Sequence, residues 1–453
     1  MKSKFNAYLL VFLLLSVSQF LNGQNIVKKV YLSGIIKNFN TQVPVEDMSE
    51  FQNFNLPASA IYFIPDSAGR FKITFPLFNA NYFRIGRNML YLIPGDSLYM
   101  ELDFNKPEST FFRGRNANAN FFLASTPFAK TGSFLSSGEN IKESVTETVD
   151  TILKLSQQRE ELLNSYTKIP KEFRLFEKAR IKADVLNSIF MLYTYYVYQH
   201  KIQKDSLTYY ANKCNAIRDS FFKKSSSNFL NPAFLKLVVY RRIIETLVYY
   251  TPPKDKIQLG IKEYIKLEEF SAKATQLNNK DSLQKIRKEI TSFVNSTYKT
   301  ALLKKINTLL QFGNGSLAKS FNASLINGKA ISLSNFKNKI IYIDIWATWC
   351  RPCLEQMPSF ELLKEKYKQN SDIVFVSLSI DNDFEAWKKN ILSRNANGEQ
   401  WLIDRSKLSA YNVASIPRAI LIDKNFKVFE IQADLPDSKK IETILNFLLE
   451  KKK

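Results

Sequence analysis

Two cysteines at a spacing that permits redox chemistry, Cys350 and Cys353, stand in the last quarter of the chain. Two thiols separated by two residues can close a disulfide with each other and open it again, so the protein's own side chains can carry electrons and no cofactor is expected. The apolar run 340–345 precedes the pair, and the helix-forming residues 354–367 follow it. The pair is therefore predicted to lie where a strand passes into the N-terminus of a helix.

A helix N-terminus gives the two thiols different roles. Unpaired backbone N–H groups and the helix dipole favour negative charge there, so Cys350 is predicted to form the attacking thiolate. Arg351 adds a positive charge beside it, and Pro352 suits the first helical turn because its missing N–H costs little there. Cys353 lies one turn further in, and we expect it to resolve the mixed disulfide and release the reduced substrate.

Asp344 is a carboxylate within the apolar run that precedes the pair. If its side chain is buried, desolvation raises its proton affinity, and Asp344 can act as proton acceptor and donor for Cys353. The alternative is a strand-edge carboxylate that faces water, in which case Ile343 and Ile345 point inward instead. We favour the buried interpretation.

The remaining pattern divides the chain into three parts after a leader. Residues 24–125 alternate apolar and polar positions, which predicts a small antiparallel β domain, interpreted as a sandwich. Residues 140–312 carry apolar side chains at helical spacing, which predicts an all-helical middle domain. Residues 313–316 are interpreted as a short flexible link. Residues 317–453 alternate strands and helices, so we expect a multidomain chain that ends in an α/β domain.

The expected elements of this last part follow from its apolar runs and its helical spacing. The strands are 340–346, 373–380, 401–403, 418–423 and 427–431, and the helices are 352–367, 383–392 and 437–449. These elements predict a mixed sheet flanked by helices. All four tryptophans of the chain fall in this part, which indicates a separate module.

Residues 1–23 have the layout of a secretory signal peptide. Lys2 and Lys4 precede an apolar stretch at 7–17, and polar and small residues follow it. An uncleaved membrane anchor is the alternative, but the stretch falls short of the ~20 residues that a spanning helix needs. We expect export to the periplasm or cell envelope of a Gram-negative bacterium. With three cysteines in an oxidising compartment, the chain is not a disulfide-stapled scaffold.

Composition also bears on two other functional classes. A formal net charge of +22 would suit a nucleic-acid surface, but acidic residues are interleaved with the basic ones throughout, so no nucleic-acid partner is expected. A zinc site needs about four Cys or His ligands, and beyond the pair the chain offers Cys214 and His200 alone. No metal site is therefore expected. We interpret Cys214 as a core thiol and His200 as structural.

Two segments resemble the signatures of thioredoxin-fold proteins, and more closely those of the TlpA-like and ResA-like exported thiol-disulfide oxidoreductases. The segments are 342–358, YIDIWATWCRPCLEQMP, and 415–423, SIPRAILID. The resemblance covers about residues 317–449 and implies a thioredoxin fold there. It also implies a thiol-disulfide oxidoreductase that reduces disulfides of envelope proteins, supplied by a membrane electron donor if it is a reductase.

The resemblance also implies a substrate-binding surface. Pro417 is expected to be a cis-proline that faces the disulfide, and Ile416 is expected to offer its backbone to a substrate strand. Trp349, together with Arg351 and Pro352, is expected to complete this surface. A cis X-Pro bond has a prior of only about one in twenty, so the expectation for Pro417 comes from the resemblance.

Two acidic positions compare differently with the family. Glu355 aligns with an acidic position that is thought to tune the thiols in the exported subgroup. Its alternative interpretation is an exposed helix residue that balances Lys364 and Lys366. Asp344 agrees with thioredoxin itself, whereas many ResA-like sequences carry asparagine there, so the resemblance alone does not establish that this chain shares the substrate preference of ResA.

Two further functions remain as alternatives. A peroxidase of the peroxiredoxin type resembles this chain only in fold, because Ala347 stands three residues before Cys350 where those enzymes use threonine. The other is an envelope binding or assembly protein, whose first two domains hold a partner and whose thiol domain is secondary. The β part, including residues 92–97, resembles the N-terminal extensions of TlpA-like envelope proteins of the Bacteroidetes.

Overall fold

A computed structural model of the protein describes most of the chain that follows the leader. The described residues are 28–38, 43–52, 61–106, 109–126, 132–226, 228–251, 256–276, 280–381, 383–411, 413 and 415–450. The predicted signal peptide, residues 1–23, lies outside them. Within them, no helix combines the length and the apolar character needed to cross a bilayer.

The first part of the chain folds into two packed sheets. Its strands are β1 (Lys28–Lys37), β2 (Val43–Asp47), β3 (Ile61–Phe63), β4 (Arg70–Leu77), β5 (Asn81–Ile85), β6 (Asn88–Leu92), β7 (Ser97–Asp103) and β8 (Phe111–Gly114). One sheet has the order β4-β1-β7-β8 and the other the order β3-β2-β5-β6. One hydrophobic cluster contains side chains of both sheets, including Leu32 and Met100 of the first and Val45 and Leu90 of the second. The sheets therefore face each other across a shared core, as in a β-sandwich.

Two features of this part differ from the prediction. The first sheet is mixed, because β1 and β7 run parallel, with Tyr31 opposite Ser97. An alternating pattern shows which face of a strand is buried but not the direction of its neighbour. In addition, Ala117–Ser125 forms a helix, α1, inside the zone predicted as strands. Its alanines favour a helix, and Asn120 Oδ1 accepts a 2.8 Å hydrogen bond from Tyr91 N, which holds α1 against β6.

The middle part is built of helices that pack in two groups. They are α2 (Val145–Ser165), α3 (Lys171–Gln199), α4 (Leu207–Ser226), α5 (Val238–Tyr250), α6 (Lys256–Gln276), α7 (Lys280–Glu289) and α8 (Ser296–Phe312). Ser144 and Glu147 form a capping box at the start of α2. Pro170 precedes α3, where its missing N–H breaks no helical hydrogen bond. α3 packs against α2, α4 and α5, whereas α8 packs against α6 and α7.

A buried ionic network joins the first part to these helices. Tyr82 of β5 donates a 2.6 Å hydrogen bond to Glu177 Oε1 on α3. Arg180 forms ion pairs with Glu177 and Asp184, and Arg159 forms one with Asp184. Burial raises the pKa of Asp184 to about 6, against the opposing charges of the two arginines. The β part and the helical part thus share a buried, charged interface.

The C-terminal part forms one seven-stranded mixed sheet with helices on it. Its elements are β9 (Asn322–Leu325), β10 (Ala330–Ser332), β11 (Ile340–Trp346), α9 (Arg351–Lys366), β12 (Ile373–Ser379), α10 (Phe384–Ser393), β13 (Glu399–Leu402), β14 (Arg418–Ile422), β15 (Val428–Ala433) and α11 (Lys439–Glu450). The strand order is β10-β9-β13-β12-β11-β14-β15. Every strand and helix predicted for this part is found, with small differences at the ends, and the hairpin β9–β10 is additional. β11 is buried along its whole length, parallel to β12 and antiparallel to β14.

Residues 313–316, predicted to be a flexible link, are instead held against the edge strand β15. Gly315 N donates a 2.7 Å hydrogen bond to Val428 O. The side chain of Asn314 is buried, and its Oδ1 accepts a 2.7 Å hydrogen bond from Ile431 N. The small and polar residues that suggested flexibility therefore supply the groups that cover an open sheet edge. An ordered segment thus attaches the helical part to the C-terminal sheet.

Candidate active site

A disulfide joins Cys350 and Cys353 at the junction of β11 and α9. The chain leaves β11 at Trp346, and a 3.0 Å hydrogen bond from Cys350 N to Ala347 O closes the turn that follows. Cys350 occupies the cap position of α9, and its Sγ accepts a 3.3 Å hydrogen bond from Cys353 N. This is the strand-to-helix junction that the sequence predicts.

Both cysteines are buried, and Cys353 is the more deeply buried of the two. Cys350 is 6% exposed, whereas Cys353 is 1% exposed and lies within the first turn of α9. The Cys353 N–H and the helix dipole favour a thiolate at Cys350. The geometry therefore suits Cys350 for attack on an external disulfide and Cys353 for attack on Cys350.

Arg351 and Glu355 form an exposed ion pair one helical turn apart. Arg351 Nε lies 3.1 Å from Glu355 Oε1, and both side chains are largely exposed. Exposed pairs of this kind contribute little to stability. Lys364 and Lys366, the partners that one interpretation gave to Glu355, pair with other carboxylates. That interpretation is right about the exposure of Glu355 and wrong about its partners.

Asp344 is buried in β11, with 1% of its surface exposed. Burial raises the pKa of Asp344 to about 7, against the opposing charge of Arg394. Within the described part of the structure, Asp344 Oδ1 has no hydrogen-bond partner. The buried interpretation is thus confirmed and the water-facing one is wrong. A carboxyl group with a pKa near neutrality can both accept and donate a proton at physiological pH.

Arg394 is a nearby charge that the sequence pattern did not single out. It directly follows α10, and its guanidinium carbon lies 5.1 Å from the centroid of the Trp346 ring. Arg394 Nε donates a 2.8 Å hydrogen bond to Asn390 Oδ1. Burial lowers the pKa of Arg394, and the charges of Glu361 and Asp344 oppose that effect. Folding brings Arg394 to Trp346 and to the charge of Asp344, which lies 50 positions earlier in the sequence.

Asp381 is a second buried carboxylate beside the active-site turn, and it also escaped the sequence analysis. It lies just beyond β12 and accepts hydrogen bonds from the backbone N–H and the hydroxyl of Thr348. The hydroxyl of Ser379 donates to the same carboxylate. A signal was available, since Asp381 follows the strand that lies parallel and adjacent to β11. Residues at the carboxyl ends of adjacent parallel strands meet at one edge of a sheet.

The peptide bond between Ile416 and Pro417 is cis, as the resemblance implied. β14 begins at Arg418, which lies opposite Ile345 near the end of β11. Because the two strands are antiparallel, the start of β14 and the departing active-site turn lie at the same edge of the sheet. Arg418 donates hydrogen bonds of 3.0 and 2.6 Å to Ile431 O, and burial lowers its pKa to about 10.

The surface around the disulfide is open and partly apolar. Trp349 is 53% exposed, Pro352 is exposed, and Ile416 is partly exposed. An extended peptide segment could pack on Trp349 and reach Cys350 from this side. This edge of the sheet gathers the predicted site residues Trp349, Cys350, Arg351, Pro352, Cys353, Ile416 and Pro417. Asp344 lies inside β11, two residues before its end, and Glu355 lies one turn further along α9.

The remaining cysteine, Cys214, and the histidine, His200, both lie in the helical part. Cys214 is buried in α4, and burial raises the pKa of its thiol to about 11, which confirms a core thiol. His200 Nε2 lies 2.9 Å from Lys142 O, and its ring packs on Tyr196 at the end of α3. Among the residues that the structure describes, no three His, Cys, Asp or Glu side chains are grouped to hold a metal ion.

Known proteins similar to this chain match its C-terminal part. A thioredoxin-like family model matches residues 338–428. The thiol-disulfide oxidoreductase ResA of Bacillus anthracis is 31% identical over 118 residues, which are 26% of this chain and 67% of the relative. ResA of Geobacillus kaustophilus is 33% identical over 125 residues, with the same shares of 26% and 67%. A crystal structure of a proposed thiol-disulfide oxidoreductase from Bacteroides vulgatus is 35% identical and covers 30% of this chain and 95% of that chain, with a TM-score of 0.29.

Proposed function

Because this chain belongs to the ResA-like family of thiol-disulfide oxidoreductases with a thioredoxin-like domain, we propose that it reduces disulfides of exported envelope proteins by thiol-disulfide exchange. One observation carries the proposal. The disulfide between Cys350 and Cys353 lies at the N-terminus of α9, at the sheet edge where the cis Pro417 also lies. The buried Asp344 lies on β11, the strand that leads to the disulfide. These are the groups that an exchange reaction needs: a nucleophile, a resolving thiol and a proton acceptor.

The first half-reaction starts from the reduced pair. The Cys350 thiolate attacks one sulfur of the substrate disulfide and forms a mixed disulfide, while the other substrate sulfur leaves as a thiolate and takes a proton from solvent. The Cys353 N–H and the dipole of α9 stabilise the attacking thiolate. Trp349 and the backbone of Ile416 hold the substrate segment beside Cys350.

The second half-reaction produces the disulfide seen in the structure. Cys353 passes its proton to Asp344 and attacks Cys350 Sγ, and the second substrate sulfur leaves as a thiolate. Two electrons have then moved from the two protein thiols to the substrate. An external dithiol donor must reduce Cys350 and Cys353 again, and we propose that this donor lies in the membrane.

The proposed location rests on the leader and on cysteine usage. Residues 1–23 have the layout of a secretory signal. The chain has one cysteine besides Cys350 and Cys353, so few non-native disulfides can form within it in an oxidising compartment. That one thiol, Cys214, is buried. We therefore place the protein in the periplasm or cell envelope, with disulfide-containing envelope proteins as substrates.

Reduction of insulin tests the proposed activity. With dithiothreitol as the donor, the purified protein is expected to cleave the interchain disulfides of insulin, followed as turbidity from the precipitating B chain. Cys350→Ser is expected to lose this activity because the attacking thiolate is gone. Cys214→Ser is the matched control and is expected to keep it, since that thiol is buried. Failure of the reduced protein to exchange with insulin or any model disulfide, with both thiols titratable, would contradict the proposal.

A further inference from the structure

The turn that carries Cys350 is attached on two sides. On one side, the disulfide ties Cys350 to α9. On the other side, the end of β12 holds the turn, beginning with a 2.9 Å hydrogen bond from Ile380 N to Trp346 O. When the disulfide opens, the covalent tie of Sγ is lost, while the attachment to β12 and the 3.1 Å hydrogen bond from Leu354 N to Cys350 O remain.

Both carboxylate oxygens of Asp381 take part in this second attachment. Thr348 N donates to Oδ1 and Oδ2 over 3.1 and 2.9 Å, and the Thr348 hydroxyl donates to Oδ1 over 2.8 Å. The Ser379 hydroxyl donates to Oδ2 over 2.7 Å and accepts from Asp381 N over 3.0 Å, which fixes the carboxylate from its own strand. Asp381 is 4% exposed, and a buried carboxylate is stable only when hydrogen bonds of this kind compensate for lost water.

We infer that Asp381 is a positioning residue, which holds Thr348 so that Cys350 Sγ stays at the N-terminus of α9 while the disulfide is open. The inference rests on the proposed thiol-disulfide exchange. Thr348 lies two residues before Cys350, so a displacement of Thr348 moves the sulfur away from Cys353 N, which lies 3.3 Å from it in the oxidised protein. The thiolate then loses a stabilising donor and its line of attack.

The effect of Asp381 depends on the redox state of the pair. In the oxidised protein the S–S bond keeps Cys350 against α9 even if Thr348 is released. In the reduced protein, which is the form that attacks, no covalent bond takes over that role. A purely structural contribution of Asp381 would instead weaken both forms alike and leave the reactivity of the folded protein unchanged.

The test compares three variants of the full-length protein. Asp381→Ala removes the attachment, whereas Asp381→Asn keeps an oxygen that can accept from Thr348. Asp383→Ala is the matched control, because Asp383 is exposed and its carboxylate caps α10 through a 3.0 Å hydrogen bond from Ala386 N. The first measurement is the rate at which iodoacetamide alkylates Cys350 in the reduced protein. The second is kcat/KM for insulin reduction, with kcat and KM determined separately.

We expect Asp381→Ala to lower both rates by about 10- to 100-fold, with the loss in kcat, since small displacements of a reacting group have effects of this size. Asp381→Asn should restore both to within about threefold of the wild type, and Asp383→Ala should leave them unchanged. Thr348→Val removes the hydrogen bond from the Thr348 hydroxyl to Asp381 and keeps the one from Thr348 N, so we expect a smaller loss of both rates. This variant also tests the inference independently if Asp381→Ala does not fold.

Wild-type rates in every folded variant at positions 381 and 348 would overturn the inference, and so would an equal loss in Asp383→Ala. Failure of the proposed function has a different signature. In that case the wild-type protein itself does not reduce insulin, while the alkylation rates still report whether Asp381 positions Cys350.

Discussion

Cys353→Ser is expected to turn the reduced protein into a trap that stays joined to its substrate through Cys350. Cys350 keeps its place at the N-terminus of α9 and can still attack a disulfide. The serine hydroxyl cannot attack the mixed disulfide that results, so no second turnover follows. Non-reducing gels and intact mass should show a one-to-one adduct with a disulfide substrate, released by dithiothreitol.

Two variants control this experiment. Cys350→Ser should form almost no adduct, because Cys353 is 1% exposed and an external disulfide does not reach it. Cys214→Ser combined with Cys353→Ser should trap as well as Cys353→Ser alone, since Cys214 is buried and its thiol pKa is raised to about 11. Equal trapping through Cys353 in the Cys350→Ser variant would contradict the assigned order of attack.

Asp344→Asn is expected to slow the second half-reaction by about 10²- to 10⁴-fold, the range that a positioned proton acceptor supplies. The mixed disulfide should therefore accumulate in this variant. Because the pKa of Asp344 is about 7, the wild-type step should speed up between about pH 6 and pH 8, as the carboxylate forms. Rapid-mixing kinetics should show a rise that levels off near pH 8 in the wild type, where the carboxylate is fully formed. The variant, in which Cys353 loses its proton to solvent, should stay far slower and should rise with pH without levelling off there.

The same substitution has a separate effect on stability. The pKa of Asp344 is about 7 in the folded protein and has its ordinary value of 3.8 in the unfolded chain. The folded protein therefore binds this proton more tightly than the unfolded chain does. That contribution to stability is complete below about pH 4 and is lost as the pH rises through about 7. The wild type loses this contribution between pH 4 and pH 8, whereas Asp344→Asn does not. The free energy of unfolding of the variant minus that of the wild type should therefore increase over this range by up to about 4 kcal/mol.

Tryptophan fluorescence during urea unfolding measures this difference in the right part of the molecule. All four tryptophans, Trp346, Trp349, Trp387 and Trp401, lie in the C-terminal part. Asp383→Asn serves as the control, because it removes an exposed carboxylate from the same part and should keep the wild-type pH profile. Parallel profiles for Asp344→Asn and the wild type would contradict the assignment of a buried, protonated Asp344.

Local patterns were sufficient to predict the centre of the site. The apolar run that became β11 and the helical residues after Cys353 place the pair at a strand-to-helix junction, and the structure confirms that placement. The burial of Asp344 also follows from its neighbours, because a carboxylate inside a central strand has no route to water. These predictions depend on residues close together in the sequence.

The features that sequence reasoning missed depend on distant residues. Thr348 and Asp381 are 33 positions apart, and Asn314 and Ile431 are 117 positions apart. The Asn314 contact could not be read from a single sequence, which does not show which segment lies beside which strand. The Thr348–Asp381 contact required one further step, the placement of the strand at 373–380 beside β11. The parallel pairing of β1 with β7 was missed for the same reason.

The reduction potential of the Cys350–Cys353 couple tests most directly whether the protein donates electrons to its substrates. Equilibration with glutathione buffers, followed by quantification of the free thiols, gives this value. If the protein reduces envelope disulfides, we expect a reduction potential close to that of thioredoxin, which is about −270 mV. A value near about −120 mV, typical of a strong oxidant, would contradict the proposed direction of the reaction.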